Sequence, residues 1–349
     1  MAQCNAIGAG TMSRAGAQCP CCGAIMTMED IRAEGLSDRL GCIATAAVAQ
    51  DTRGRQYRVL TDREREVAEP DASRLKAEMD SLPHGQMYER LEPASSRSIS
   101  CDLYGLDAFA KMFSPRQTLS LAVFGRCTRV AHDQMLSTGY NSEWATAIKF
   151  YLSVAHDRIV DRASMLCSWD AGYQKVRNTF GRFALAMVWD YCESVPVNDS
   201  SGGYRGAIDL IAEVVEHCSE ATSASPSSIV RLQSSTDAIG TQGDEYDLII
   251  TDPPYYEAIS YADMSDFFFV WLKRTLGLEG DSNGLTPKAK EAVQHIRPDK
   301  NRLEEKAKYE DFMASAFGQC FRALATDGRF VIVFAHKHPD AWETLVGAM

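Results

Sequence analysis

The stretch Tyr246-Asp247-Leu248-Ile249-Ile250-Thr251-Asp252-Pro253-Pro254-Tyr255-Tyr256 is a short apolar run that stops abruptly at an acid, two prolines and two aromatics. A run of this length predicts a buried strand, and the prolines, which lack a ladder donor, predict its end. Three further runs have the same character: Phe183 to Trp189, Ile229 to Leu232 and Arg329 to Ala335. Helical segments such as Gly206 to His217 and Tyr309 to Ala325 separate them. Alternation of this kind predicts an α/β fold with a parallel sheet. In open sheets of that class ligands sit outside the carboxyl ends of the strands, so Asp252 to Tyr255 falls where chemistry is expected.

The residue types fit one chemical task. An amino nitrogen on adenine or cytosine is a poor nucleophile because its lone pair is delocalised into the ring. The Asp252 carboxylate and the Pro253 carbonyl would each accept one amino hydrogen, localising the pair and stabilising the positive charge that develops. Two proline rings hold such acceptors still. A base within a duplex must first be extruded, and Tyr255 offers a ring for it to stack on. Tyr256, Tyr261 and Asp263 stand near enough in sequence to share the site, whereas the Phe and Trp residues of Ile259 to Arg274 read as the core face of a helix. The bland reading is a turn with a rigid exit.

Further out, composition excludes more than it assigns. The chain has 349 residues, 45% apolar and 24% charged, which is ordinary for a globular protein with room for about two domains. Its longest strongly apolar stretch, Phe267 to Leu272, is far too short to span a membrane, and its first residues lack a basic-then-apolar leader pattern. A cytoplasmic protein with no membrane partner is expected, with its 11 cysteines reduced. A net charge of -11 argues against a wholly phosphate-binding surface. Arg126, Arg129, Lys149, Arg158, Arg162, Lys175 and Arg177 outnumber the acids between Arg116 and Arg182, which allows a local positive face or a solvated helical surface.

The chain divides on these signals into a small module over 1–60, a linker over 61–100, a helical subdomain over 101–180 and a catalytic α/β region over 181–349. Within the first, Cys42 to Val48 and Gln56 to Leu60 flank a turn at Arg53-Gly54-Arg55 and predict a hairpin. The linker carries Pro70, Pro83 and Pro93 and one expected helix, Ala72 to Ser81. Leu119, Val123, Cys127 and Val130 recur at helical spacing, and Pro115 fits a helix start.

Several of these segments together resemble the large zinc-ribbon-containing adenine-specific DNA methylases of bacteria and archaea. The resemblance runs from Gly10-Thr11 through CPCCG at Cys19 to Gly23, YRVLTDRE at Tyr57, SPRQTLSLAVF at Ser114 and TFGRFALAMVWDYCESV within Asn178 to Val195. It continues through TDPPYYEAISYADMSDFFFVWLKR and GRFVIVFAHK, and the run around Asp252 is its most specific part. What it implies is methyl transfer from S-adenosylmethionine to the adenine amino group of DNA, on a doubly wound Rossmann-like sheet, with Asp252, Pro253, Pro254 and Tyr255 at the reacting amine. Cytosine-amino or RNA methylation shares that chemistry. Methylation of a protein glutamine fits less well, since an Asn usually leads that tetrapeptide.

The resemblance also shows what the chain lacks. The glycine-rich cofactor turn after a first strand is not found: Gly8-Ala9-Gly10 follows no convincing strand, and Ser200 to Gly206 reads as a plain turn, with an anion site at a helix start as the alternative. Cys19 and Cys22 have the spacing of one zinc knuckle, but Cys4, Cys21 and Cys42 do not make a second. A fragment or one piece of a split protein is therefore expected, needing a separate chain to supply the cofactor loop. A nucleic-acid-binding piece without its own cofactor is the alternative of a different class. Asp237, after Ile229 to Leu232, is expected near the cofactor's adenine ring or in a plain turn, and His336 and Lys337 are expected along the target strand.

Overall fold

The computed structural model describes residues 11–52, 54–91, 98–199, 202–240, 245–255, 260–289, 291–292 and 301–349. Tyr256, Cys4, Gly8 to Gly10, Ser200 and Ser201 lie outside the described residues. The fold is mixed α/β with small sheets, and the chain forms two compact units. One comprises 1–91, 99–209 and 270–278, and the other 92–98, 210–269 and 279–349.

The first unit opens with a three-stranded antiparallel sheet, β1 (Met12–Ser13), β2 (Gly16–Gln18) and β3 (Ile25–Thr27). Gly16 sits at φ +144°, and a Cβ there would meet the Met26 carbonyl oxygen at 2.0 Å, so only glycine allows this pairing. Helix α1 (Met28–Leu36) follows at once, started by a capping box in which Thr27 and Asp30 satisfy each other's backbone donors. The hairpin expected around Gly54 is present as β4 (Ala46–Asp51) and β5 (Gly54–Val59). The linker region holds two helices where one was expected: α2 (Asp62–Ala68), capped by Thr61 and Glu64, precedes α3 (Ala72–Asp80).

The long helix α4 (Pro115–Ser137) begins with Pro115 in its first turn and a capping box between Ser114 and Gln117. It lies against α5 (Ser142–Val160), whose His156 donates from Nε2 to the Leu121 carbonyl at 2.9 Å across the pair. A two-stranded ribbon, β6 (Ser168–Asp170) with β7 (Lys175–Arg177), follows. Helix α6 (Tyr204–Thr222) carries the chain into the second unit.

The run Phe183 to Trp189 is not a strand. Leu185 alone is buried, forming one isolated bridge to Ile99 while its carbonyl accepts from Ser100 and Cys101. Ile229 to Leu232 is likewise irregular, with Ile229, Val230 and Leu232 at 80%, 90% and 106% exposure. β-branched composition raises strand propensity but a strand needs a ladder partner, and among the described residues neither run has a continuous one.

The second unit is built on two parallel strands, β8 (Tyr246–Thr251) and β9 (Leu324–Ile332). Between them the chain forms α7 (Tyr261–Leu276), which crosses back into the first unit's residues, and α8 (Arg302–Ala323); α9 (Pro339–Ala348) follows. Register pairs Ile249 with Phe330 and Thr251 with Ile332, and this face, with Phe334, packs on Tyr309, Met313 and Phe317 of α8 and Ala341 and Leu345 of α9. The alternate residues Leu248, Ile250, Val331 and Val333 are exposed. β9 starts five residues earlier than the run that predicted it, because α8 passes into it directly at Leu324.

Among the described residues, no helix is long and apolar enough to cross a membrane.

Candidate functional site

Both strands of the second unit end on the same side, since they are parallel. The Val333 N–H donates to the Thr251 carbonyl at 2.8 Å, extending the pairing to the last residue before Asp252. Asp252 to Tyr255 and Phe334 to His338 therefore leave the sheet as neighbours at its carboxyl end. The carboxylate of Asp252 is on an exposed residue, while Pro253 is buried and Pro254 and Tyr255 are half-buried.

Three expected residues come together here. Hydrogen bonding to the Asp252 carboxylate, then desolvation and the negative charge of Asp252, hold the Tyr255 phenol above its usual range. Tyr261 opens α7 next to buried Ser260 and is half exposed. The Tyr255 ring meets the edge of Phe334 at 5.4 Å and 83°, and Phe334 meets Trp342 of α9 at 5.0 Å and 87°. These are T-shaped contacts of the kind that fix ring orientation.

His336 and Lys337 follow β9 at the same end of the sheet. His336 is turned to its own loop: its Nδ1 accepts from the His338 N–H at 3.1 Å, and its carbonyl accepts from the Trp342 indole at 3.1 Å. Lys337 is exposed. Asp237 lies in a turn whose Ser234 N–H donates to its carboxylate at 3.2 Å and whose Ser234 carbonyl accepts from its N–H at 3.0 Å. That turn is tied to α8 by Gln319, which donates to the Thr236 carbonyl at 2.9 Å.

Asp263 is buried on the first turn of α7, and Asp266 one turn on takes hydrogen bonds from Thr286 and an ion pair from Lys288 at 2.6 Å. Glu291 caps the same helix start by accepting from the Ala262 N–H at 2.8 Å, and burial pushes its carboxyl up. This polar cluster anchors the chain that returns from the site.

Tyr309, Phe334 and Trp342 were not among the expected site residues. Tyr309 donates to the Pro254 carbonyl at 2.7 Å from the buried face of α8. Its sequence signal was weak: Tyr309, Met313 and Phe317 form a core stripe at helical spacing, and only the phenol distinguishes the first.

In the first unit, Cys19 and Cys22 occupy the turn between β2 and β3. The Cys19 N–H donates to the Ala24 carbonyl and the Gly23 N–H to the Cys19 carbonyl, with Gly23 at φ +73°. Backbone N–H groups of Cys22 and Cys21 lower the Cys19 thiol's pKa. Such a turn suits two thiolate ligands, yet among the described residues no cluster of three or more His, Cys, Asp or Glu could hold a metal ion. Cys42 is bonded instead to the Tyr191 hydroxyl at 3.1 Å.

Three of the basic residues between Arg116 and Arg182 have acidic partners. Arg116 pairs with Glu193 and Glu69, Arg126 with Glu78 and Arg177 with Asp170.

Comparison with known proteins finds no matching family, no matching curated relative and no matching solved structure.

Proposed function

We propose that this chain is an S-adenosylmethionine-dependent DNA methyltransferase acting on the exocyclic amino group of adenine, of the zinc-ribbon-containing kind, with DNA as its partner and a doubly wound Rossmann-like sheet as its scaffold. The observation that carries the reading is the placement of Asp252 and Tyr255 at the carboxyl end of a parallel strand pair, with the Tyr255 ring set against Phe334. A carboxylate there accepts an amino hydrogen, and an aromatic ring beside it stacks on an extruded base.

The described residues fit the amine-binding half of such a site. They do not fit the cofactor half: neither parallel strand, β8 or β9, is followed by a glycine-rich turn among the described residues. Zinc finds two ligands, Cys19 and Cys22, of the four a closed site needs. No step is therefore derived through either group. This mismatch favours a second reading, a nucleic-acid-binding piece whose cofactor loop comes from a separate chain.

The test is transfer of a labelled methyl group from S-adenosylmethionine to unmethylated genomic DNA, followed by nucleoside analysis. N6-methyladenine is expected, and Asp252→Ala should abolish it. N4-methylcytosine would move the reading to cytosine, and label in RNA alone would move it to RNA. DNA binding without any transfer would support the second reading.

A further inference from the structure

We propose that Tyr309 is a positioning residue of this site, clamping the backbone rotation that aims Tyr255. The inference rests on the base-amine reading above and adds a residue to it. Proline rings fix φ at Pro253 and Pro254 near −65°, and peptide groups are planar. At Pro254 one soft torsion remains, ψ, and it sets the plane that holds both the Pro254 carbonyl and the Tyr255 N–H. The Tyr309 phenol, 2% exposed, donates to that carbonyl at 2.7 Å. Rotation of ψ would break the bond, so the departure direction of Tyr255 is fixed from the core.

The far side of the ring is fixed as well. Tyr255 meets Phe334 edge-on at 5.4 Å, and Phe334 is braced by Trp342 at 5.0 Å. Its hydroxyl reaches Asp252. A stacking ring thus stands between a backbone clamp and an aromatic wall, with its polar tip on the carboxylate. Tyr309 itself is on α8 within the core of Met313, Phe317, Ala341 and Leu345, where a Phe ring would pack as well as a Tyr ring. The hydroxyl is the one part of the side chain that core packing does not require.

The experiment places 3-fluorotyrosine at position 255 of the full chain and compares its ¹⁹F resonance in the parent and in Tyr309→Phe, with thermal unfolding recorded for both. Tyr309→Phe keeps ring and volume, so a cooperative transition is expected in each. The parent should give one sharp resonance and the variant a broadened or split one. 2′-Deoxyadenosine monophosphate should shift the parent resonance, thymidine monophosphate should not, and the variant should bind the adenine nucleotide roughly 10-fold more weakly, a loss within the range that one base–aromatic stack contributes. Superimposable spectra of parent and variant overturn the clamp whatever the nucleotides do. A parent resonance that ignores the adenine nucleotide overturns the base-amine reading; a broadened variant would then leave Tyr309 anchoring a turn of some other use, and the positioning role falls with the reading.

Discussion

Asp252 and Tyr255 divide the work at the site's centre, and single substitutions should separate them. Asp252→Ala removes the acceptor altogether, so methyl transfer to DNA should fall to background. Tyr255→Phe keeps the stacking face and should retain most activity, whereas Tyr255→Ala should lose roughly 1 to 3 kcal/mol of base binding, read as a weakened apparent affinity for DNA. Equal activity of Tyr255→Ala and parent would remove the stacking role. The acid, prolines and aromatics of this turn were legible in sequence because they are contiguous and chemically unusual. Tyr309 was not, since its hydrogen bond to Pro254 joins residues 55 positions apart.

A second residue-scale test concerns Glu89. It is buried and takes ion pairs from Lys273 and from Arg274, the latter at 3.0 Å, while Arg274 also donates to the Gly85 and Gln86 carbonyls. Burial alone would raise the Glu89 carboxyl, but the two cations outweigh it and hold it below its usual range. Removing the acid strands two buried positive charges. Glu89→Ala should therefore lower unfolding stability by about 3 to 5 kcal/mol in urea titration.

Helices were the most legible elements, because their ends are written locally. Ser114-Pro115-Arg116-Gln117 closes a capping box: the Ser114 N–H donates to the Gln117 side chain at 2.8 Å, and the Gln117 N–H donates to the Ser114 hydroxyl at 3.3 Å. Ser114→Ala should cost about 1 kcal/mol, and more if the buried Gln117 amide then loses its alignment; chemical denaturation would measure it. Strands were less legible, for a physical reason visible in Ile229 to Leu232. Those residues match β8 in composition, yet β8 has β9 beside it and they have no neighbour. Pairing partners are remote in sequence, so an apolar run announces burial or pairing without saying whether either is supplied. The hairpin of β4 and β5 was readable only because its turn is contiguous with both strands.

At the scale of the whole molecule, pH dependence has one clear source in the helical unit. His156 is fully buried, with Nε2 2.9 Å from the Leu121 carbonyl, and burial pushes its imidazole down to about 4. An unfolded histidine titrates near pH 6.5, so the unfolded chain takes up a proton that the folded chain refuses. Stability from this group is complete above about pH 6.5 and is lost as pH falls toward 4, a change of about 3 kcal/mol. Asp157 acts with opposite sign, since burial raises its carboxyl. Comparing parent with His156→Asn isolates the histidine: between pH 6.5 and 4 the parent should lose more stability than the variant, and parallel curves would contradict the burial argument. Neither the partner across α4 and α5 nor the enclosure of His156 could be read from sequence, where it is one polar residue on an apolar helix.

The one-sided packing of β8 and β9 has a practical outcome. Leu248, Ile250, Val331 and Val333 present a greasy patch on a folded protein. Fluorescent dyes that report molten states will light up on the native chain, so bright dye signal at room temperature should coincide with a sharp calorimetric melt. Storage conditions chosen by dye-based melting screens would be misjudged for this molecule, and mild detergents that mask the patch should quench the signal without shifting the calorimetric midpoint.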